Sequence, residues 1–267
     1  MTPQKKSQMA IITLTTDWGI KDHYLASVKG AILQQIPEAT IIDISHEIAP
    51  FNLSQASYIL QSAYPNFPKG SIHLIGINSE ASVEYPHIII KHKDQFFIGA
   101  DNGLFSLLFK ETPKEIYELD ILQSSNRFTF STKDVFVNAA KHIAQGKAIE
   151  EIGEPLNNLT NRVPFQPVVE ENIIKGKVIY IDRHENIVTN ISEQLFYEII
   201  KKKRFKIYLR AGKYIIDTIY TSYSDVGEGD LLALFDSNNY LEIAQSYGRA
   251  AGLLGLSLDD VVRIEID

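Results

Sequence analysis

Polar residues follow several apolar, strand-like runs, and in open parallel sheets such strand ends are where ligands bind. Asp17 follows the run AIITLTT and precedes Gly19 and a helix-like segment. A carboxylate at this position could accept hydrogen bonds from the two hydroxyls of a ribose, or it could cap the following helix. The residues by themselves leave both roles open.

Two other stretches could adjoin a site. The run HLIGI ends before Asn78 and continues as NSEASVEYPH, whose asparagine, serines, glutamates and tyrosine are neither strongly basic nor strongly nucleophilic. The stretch TFSTKDVF places Ser131 three residues before Asp134, which predicts a helix N-cap with a capping-box-like pair. That structural role can coexist with a site at the helix start.

Several classes of site are excluded by their missing motifs. The glycine patterns of dinucleotide-binding and triphosphate-binding loops are absent, and so is the G-x-S-x-G turn of a nucleophilic serine. None of the seven histidines forms an H-E-x-x-H or similar ligand pair, so we expect no metal site. The chain contains no cysteine, which excludes disulfides, thiolate zinc sites and a cysteine nucleophile.

The elements that must position these residues differ between the two halves of the chain. In the first half strand-like and helix-like segments alternate, which favours βαβ units and a parallel sheet covered on both faces. The first helix-like segment places Tyr24, Val28, Ala31 and Leu33 at spacings that suit an amphipathic helix. Asn52 begins a second helical run, and a hairpin follows with its turn at Lys93 and Asp94.

The second half contains short strands at regular spacing with only two short helical runs, a pattern typical of a small barrel or sandwich. A stretch rich in proline and asparagine separates it from the first half. We therefore predict an N-terminal α/β domain at 9–158, with a Rossmann-like parallel or mixed sheet and flanking helices. A linker at 159–172 and a C-terminal all-β barrel domain at 173–267 complete the prediction.

The composition and charge of the chain limit the kinds of partner that it can bind. The chain is 45% hydrophobic and 22% charged, as in ordinary globular proteins. Its net charge of −7 argues against a general affinity for nucleic acid, and we interpret the basic residues 201–204 as a solvated helix end. No stretch approaches the roughly 20 apolar residues of a membrane span, and no apolar run of signal-peptide length follows the N-terminus. We expect a cytoplasmic protein with neither a nucleic-acid nor a membrane partner.

Motifs spread in order along both halves resemble the S-adenosyl-L-methionine hydroxide adenosyltransferase family, whose relatives include the 5′-fluoro- and chloroadenosine synthases. The family's T-D-F-G-x-x-D-x-Y with a later K-G is matched by TTDWGIKDHYLASVKG, and its D-I-T-H by IIDISHEI. Its P-D-N-G-L is matched by ADNGLF, its D-x-F-G-N…T-N by YIDRHENIVTNI, and its S-x-x-Y-L-E-I-A by SNNYLEIA.

The resemblance implies an α/β domain followed by a β-barrel, in a homotrimer that binds S-adenosyl-L-methionine between subunits. It implies that this molecule is the substrate, that adenosine and methionine are the products, and that no separate cofactor is used. Asp17 would hold the ribose hydroxyls, with Asp22 nearby. The remaining positions implied for substrate binding are Thr132, Asp182, Asn186, Ser237, Glu242 and Ala244.

The family's water-activating Asp, Arg and His fall on Asn78, Tyr85 and Ser131, so all three catalytic positions are substituted. An asparagine cannot accept the proton, and the two hydroxyls titrate far above neutral pH. Losing a general base typically costs about 10²-fold to 10⁴-fold in rate. The replacement bases that the altered loop offers are Glu80, Glu84 and His87. His184 and Glu185 also replace the family's Phe and Gly.

Three functions follow from this pattern. The first is hydrolysis of S-adenosyl-L-methionine with a replacement base. The second is adenosyl transfer to another nucleophile such as a halide, because halide-using relatives also lack the histidine and place a small hydroxyl or glycine at the position of Thr132. The third is a catalytically silent trimer that binds S-adenosyl-L-methionine or adenosine.

Overall fold

The protein is described by a computed structural model that covers residues 9–109, 111–123, 128–210 and 212–267. The chain divides into two compact units, with the boundary between Val163 and Pro164. The segment 159–172, which the sequence predicts as a linker, contains a short strand at Val168–Glu170. This strand pairs with the next one along the chain and so contributes to the sheet of the second unit.

The first unit is built on a mixed sheet of seven strands in the order β2-β1-β3-β5-β4-β6-β7. The strands β2, β1, β3 and β5 run parallel, and the other three pair in antiparallel fashion. The strands are β1 (Ile11–Thr16), β2 (Thr40–Ser45), β3 (Ile72–Gly76), β4 (His87–His92), β5 (Gln95–Ala100), β6 (Glu115–Leu119) and β7 (Gly153–Pro155). The predicted parallel or mixed sheet is confirmed.

Helices cover both faces of this sheet. On one face α1 (His23–Gln35) and α4 (Val137–Ala144) pack against Leu14 and Leu74, and a π-helical turn at Thr132–Phe136 leads into α4. On the other face α2 (Leu53–Ala63) and α3 (Leu104–Leu108) pack against alternate residues of the same strands. Successive side chains of a strand point to opposite faces, which explains the near-continuous apolar runs.

Local signals in the first unit are confirmed where a single side chain determines the backbone. Asn52 accepts a hydrogen bond from the backbone N–H of Gln55 at 2.9 Å and caps α2. Lys93 and Asp94 have φ angles of 51° and 61°, as a two-residue turn between β4 and β5 requires.

The predicted first helix is confirmed as α1, but its buried residues differ from the predicted apolar set, and the N-cap predicted at Ser131 is wrong. In α1 the buried residues are Val28 and Ile32, whereas Tyr24 and Leu33 are 44% and 48% exposed. One residue of helix turns by about 100°, so the step from Ile32 to Leu33 crosses from the packed face to solvent. Ser131 itself has α-helical φ and ψ, and within the described residues its side chain makes no N-capping hydrogen bond. The π-helical turn therefore begins without the expected capping box.

The second unit is an antiparallel sheet that curls into a nearly closed barrel, as predicted. Its path is β12-β11-β15-β9-β10-β14-β13, and β8 adds to β9. A bridge between Ile219 and Ala233 brings the segment after β12 against β13. The strands are β8 (Val168–Glu170), β9 (Ile173–Ile181), β10 (Ile187–Ser192), β11 (Phe205–Leu209), β12 (Tyr214–Ile216), β13 (Leu231–Phe235), β14 (Tyr240–Gln245) and β15 (Val261–Ile266).

Two short helices, α5 (Glu193–Ile200) and α6 (Ala250–Leu254), pack on the apolar core of the barrel. Residues 201–204 are exposed at the end of α5, as expected of a solvated helix end. In the part of the chain that the structure describes, no helix combines the length and the apolar character that a membrane crossing requires.

Candidate functional site

In the first unit, the turn after β1 is held against the chain that follows β2. Asp17 Oδ2 accepts a hydrogen bond from the backbone N–H of Phe51 at 2.8 Å. The N–H of Gly19, which has a φ of 66°, donates to the carbonyl of His46 at 2.7 Å. The Asp17 carboxylate therefore lies at the carboxyl edge of the parallel strands, as the sequence predicts, and one of its oxygens has a backbone partner.

The buried His46 reinforces this edge. Its Nδ1 lies 2.7 Å from Thr16 Oγ1, and its Nε2 lies 3.1 Å from Asp43 Oδ1. Lys29 Nζ donates to the other oxygen of Asp43 at 2.6 Å. Partial burial raises the pKa of Asp43, but the hydrogen bonds from Lys29 and His46 outweigh it, and the net pKa is lowered. The ends of β1 and β2 are thus tied together beside Asp17.

The residue after Asp17, Trp18, belongs to a cluster of aromatic side chains. The Trp18 ring makes an edge contact with Phe130 at 5.6 Å between centroids and a tilted contact with Tyr24 at 6.5 Å. A Cβ atom at Gly76 would lie 2.6 Å from Trp18 Cζ2 and 3.1 Å from Thr132 Oγ1. The glycine that ends β3 therefore allows the indole and the start of the π-helical turn to close over the sheet.

The chain bends sharply after β3. Asn78 has a φ of 43°, which places a non-glycine residue in the left-handed region. Asn102 of the ADNGLF motif stabilises the bend, since its Nδ2 donates to the carbonyls of Ile77 and Asn78 at 3.0 and 3.1 Å. The neighbouring Asp101 is buried and accepts a hydrogen bond from the N–H of Thr160 at 2.8 Å. Burial raises the pKa of Asp101, and the Thr160 bond opposes that shift.

The bend meets the π-helical turn through two hydroxyls. Thr132 Oγ1 donates to Ser79 Oγ at 3.1 Å, and the Ser79 carbonyl accepts from His87 Nε2 at 2.9 Å. The His87 ring lies 5.0 Å from that of Phe136 in an edge contact. Burial lowers the pKa of His87, and its bond to Ser79 opposes that shift. Thr132 and the loop after Asn78 are thereby brought into contact.

The other predicted positions of the first unit lie around this contact. Ser131 is buried at the start of the π-helical turn, directly before Thr132. Tyr85 lies at the far end of the loop, where the hydrogen bond to Glu84 is the main cause that raises the pKa of its hydroxyl. Asp22 is exposed and precedes the first residue of α1.

In the second unit, Asp182 organises the loop between β9 and β10. Its Oδ1 accepts from the backbone N–H groups of His184 and Asn186 at 2.8 Å each, and its Oδ2 accepts from Asn186 Nδ2 at 3.2 Å. Glu185 has a φ of 63°, the conformation for which glycine is favoured. Its carboxylate compensates by accepting from Arg249 Nη1 at 3.2 Å and from the N–H of Gly252 at 2.9 Å.

Glu242 is buried close to two further carboxylates. Tyr223 donates its hydroxyl to Glu242 Oε1 at 2.7 Å. Burial raises the pKa of Glu242, the Tyr223 bond opposes that shift, and the charges of Asp182 and Asp236 add to it. Glu242 is the buried member of this group of negative charges, and such a group is suited to receive a cation.

An open cleft of about 530 Å³ lies over this loop. Its lining contains Asp182, Arg183, His184, Asn186, Tyr223, Gln245, Tyr247, Gly248 and Arg249. Sequence reasoning identified Asp182 and Asn186 but missed Tyr223, Tyr247 and Arg249. The signal for the last two was present in QSYGRA, a polar, glycine-containing stretch between a strand and a short helix.

The two remaining predicted residues lie on the hairpin of β13 and β14. Ser237 is exposed in its turn. The side chain of Ala244 is fully buried and packs with Leu232 and Leu234, so any contact of this residue with a ligand would involve its main chain. Within the described residues, no group of three or more His, Asp and Glu side chains has the geometry to hold a metal ion.

Comparison with known proteins assigns both units. Residues 12–153 match the model of the SAM hydroxide adenosyltransferase N-terminal domain, and residues 176–263 match that of the SAM hydroxide adenosyltransferase C-terminal domain. A protein of Methanocaldococcus jannaschii named (R)-S-adenosyl-L-methionine hydrolase is 32% identical over 95% of both chains. A protein of the same name from Salinispora tropica is 26% identical over 95% of this chain and 97% of its own.

More distant relatives and solved structures agree in extent. A protein of Nocardia brasiliensis named fluorinase is 22% identical over 96% of this chain and 97% of its own. The crystal structure of an uncharacterized conserved protein from Thermotoga maritima is 32% identical, with a TM-score of 0.85 over 95% of this chain and 99% of that one. These matches extend over both units of the chain.

Proposed function

Because the chain belongs to the SAM hydroxide adenosyltransferase family, we propose that it hydrolyses S-adenosyl-L-methionine to adenosine and L-methionine. The observation that carries this proposal is the match to both family domains in order, together with relatives named as hydrolases over nearly the full chain.

The reaction places modest chemical demands on the protein. The oxygen of water forms a bond to C5′ of the ribose as the bond from C5′ to the sulfonium breaks, and the bonding electron pair returns to sulfur. The leaving group is a neutral thioether and needs no acid. The protein must align the water with C5′ and remove its proton, and these are the two tasks of positioning and general-base catalysis.

The first unit is proposed to hold the ribose. Asp17 has one carboxylate oxygen on the Phe51 N–H, and its other oxygen is assigned to the ribose hydroxyls. Thr132 and Ser79, which are hydrogen-bonded to each other, adjoin the reacting carbon in this assignment. Asp22 is assigned to the outer part of the same site.

The second unit is proposed to hold the methionine and adenine ends. Asp182 and Glu242 supply negative charge for an ammonium group, and Asn186 and Ser237 supply polar groups. Ala244 contributes its main chain. The exposed ring of Tyr247 is available for stacking on a base.

The assembly and location that we propose are those that the family resemblance implies, a cytoplasmic homotrimer with sites shared between subunits. Size-exclusion chromatography with light scattering tests the assembly, and a monomer that binds and hydrolyses its substrate would contradict it.

The test of the function is calorimetric titration of the purified protein with S-adenosyl-L-methionine. The contents of the calorimeter cell are then analysed by chromatography for adenosine and methionine. Binding with formation of adenosine and methionine is the expected result. Binding without product would favour the silent trimer, to which the substituted Asn78, Tyr85 and Ser131 point. A 5′-halogenated adenosine in a parallel chloride incubation would instead establish transfer to halide.

A further inference from the structure

We propose that His87 is the general base of this chain and that it accepts the proton of the attacking water through Nδ1. The inference rests on the proposed function and names a residue for the proton transfer. His87 begins β4, which runs antiparallel to β5, so the start of β4 lies at the edge where the parallel strands end. Asp17 and Asn78 lie at this same edge.

The His87 side chain also lies on the required face of the sheet. Alternate residues of β4 point to opposite faces, and Ile89 packs in the cluster that contains Phe136 and Leu74. His87 shares the face of Ile89, and its ring contacts Phe136 directly. Thr132 and the Trp18 indole approach Gly76 from this same face.

Hydrogen bonding determines which nitrogen of His87 can accept a proton. Nε2 lies 2.9 Å from the Ser79 carbonyl, which can only accept, so Nε2 carries the hydrogen. In the neutral ring Nδ1 then carries the lone pair. Among the residues that the structure describes, none forms a hydrogen bond with Nδ1. The bond to Ser79 therefore orients the ring and also selects the tautomer in which Nδ1 is the basic nitrogen.

The surroundings keep the ring neutral. Burial lowers the pKa of His87 below its ordinary value, so the imidazole is unprotonated at neutral pH. The ionisable groups on the neighbouring segments are Glu80, Glu84 and Tyr85 in the loop, Asp101 after β5, and Lys133 and Asp134 in the π-helical turn. Glu80 and Glu84 are exposed, whereas His87 is buried and hydrogen-bonded to the Ser79 carbonyl.

The proposed step balances without any further reactant. Water oxygen bonds to C5′, the electron pair of the broken bond goes to sulfur, and one water proton goes to Nδ1. The imidazolium then releases that proton to solvent. The sum is S-adenosyl-L-methionine plus water giving adenosine, methionine and one proton.

The discriminating variant is His87→Gln. A glutamine amide can keep the donor to the Ser79 carbonyl but cannot accept a proton at neutral pH, so a purely structural role would survive the change. We expect kcat for hydrolysis to fall by about 10²-fold to 10⁴-fold with the Kd for S-adenosyl-L-methionine within about threefold of the wild-type value. The wild-type kcat should rise with pH through a pKa below 6.5, and this limb should vanish in the variant.

The matched control is His92→Gln, at the opposite end of the same strand. It should keep the wild-type kcat and pH profile. Wild-type turnover with an unchanged kcat in His87→Gln would overturn the role of His87 and leave the proposed function standing. No turnover by the wild-type protein, measured with confirmed binding, would overturn both.

Discussion

The Trp18 indole closes over the backbone of Gly76, at a point where a single added Cβ would approach Trp18 Cζ2 to 2.6 Å. This contact connects two segments, the turn that contains Asp17 and the strand that leads to Asn78. The same glycine faces Thr132, whose hydroxyl would lie 3.1 Å from that Cβ. Three segments of the candidate site thus depend on one position without a side chain.

Gly76→Ala is therefore expected to lower both stability and activity. Forcing an extra carbon into a packed site costs about 1–3 kcal/mol, and the displaced indole would move the turn that carries Asp17. Thermal unfolding and turnover measure the two effects. Gly30→Ala in α1 is the control, because nothing lies within 4 Å of its added Cβ, and it should be neutral or stabilising by about 1 kcal/mol. Equal stability of the two variants would contradict the packing argument.

Asp17→Ala should weaken binding of S-adenosyl-L-methionine and of adenosine by about tenfold or more, since a hydrogen bond to a charged group contributes about 1.5–3 kcal/mol. Asp17→Asn keeps an acceptor for the Phe51 N–H and should lose less affinity. Calorimetric titration of both variants separates the ligand contact from the loop contact. Unchanged affinity in Asp17→Ala would refute the ribose assignment.

Glu242→Gln should weaken binding of S-adenosyl-L-methionine about tenfold or more while sparing adenosine, because it removes the negative charge assigned to the amino acid end. Burial raises the pKa of Glu242, so its ionisation destabilises the unliganded fold increasingly as the pH rises above the ordinary 4.5. The unliganded variant should accordingly gain stability relative to wild type between pH 4 and pH 7. Equal losses for both ligands would contradict the assignment.

The wild-type protein should lose stability in mild acid through His73. Burial lowers the pKa of His73 from 6.5 to about 4, between hydrogen bonds to Thr13 and Gln95. Between these two pKa values the unfolded chain binds a proton at His73 and the folded chain does not. The free energy of unfolding therefore decreases by about 3 kcal/mol as the pH falls from 6.5 to 4. Urea unfolding at pH 7.5 and 4.5 measures the loss. His73→Gln should be less stable at pH 7.5 but show a smaller loss, and an identical loss would exclude His73 as its source.

The sequence predicted those features that one residue or one period determines. The helix start at Asn52, the turn at Lys93 and Asp94 and the change from alternating elements to short strands all follow from local chemistry. The packed face of α1 did not, because both Ile32 and Leu33 are apolar and only the sheet decides which of them is buried. Ser131 resembled a cap in sequence, yet the chain enters a π-helical turn with Ser131 already helical.

The candidate site was predictable to the same degree. Asp17 and Asp182 each follow an apolar, strand-like run and lie within a motif that resembles one of the family, so their positions could be predicted from the sequence. Tyr223 and Glu242 are 19 residues apart and meet only when the barrel curls. The bond between His87 and Ser79 likewise depends on the bend at Asn78. That bend could not be predicted from the sequence, because Asn78 is not a glycine and yet adopts the left-handed conformation.

The central claim is tested most directly by hydrolysis in water enriched in ¹⁸O. Purified wild-type protein is incubated with S-adenosyl-L-methionine, and adenosine and methionine are analysed by mass spectrometry. Attack of water on C5′ predicts one ¹⁸O atom in the 5′-hydroxyl of adenosine and none in methionine. Absence of adenosine despite saturating substrate, or adenosine without the label, would contradict the proposed reaction.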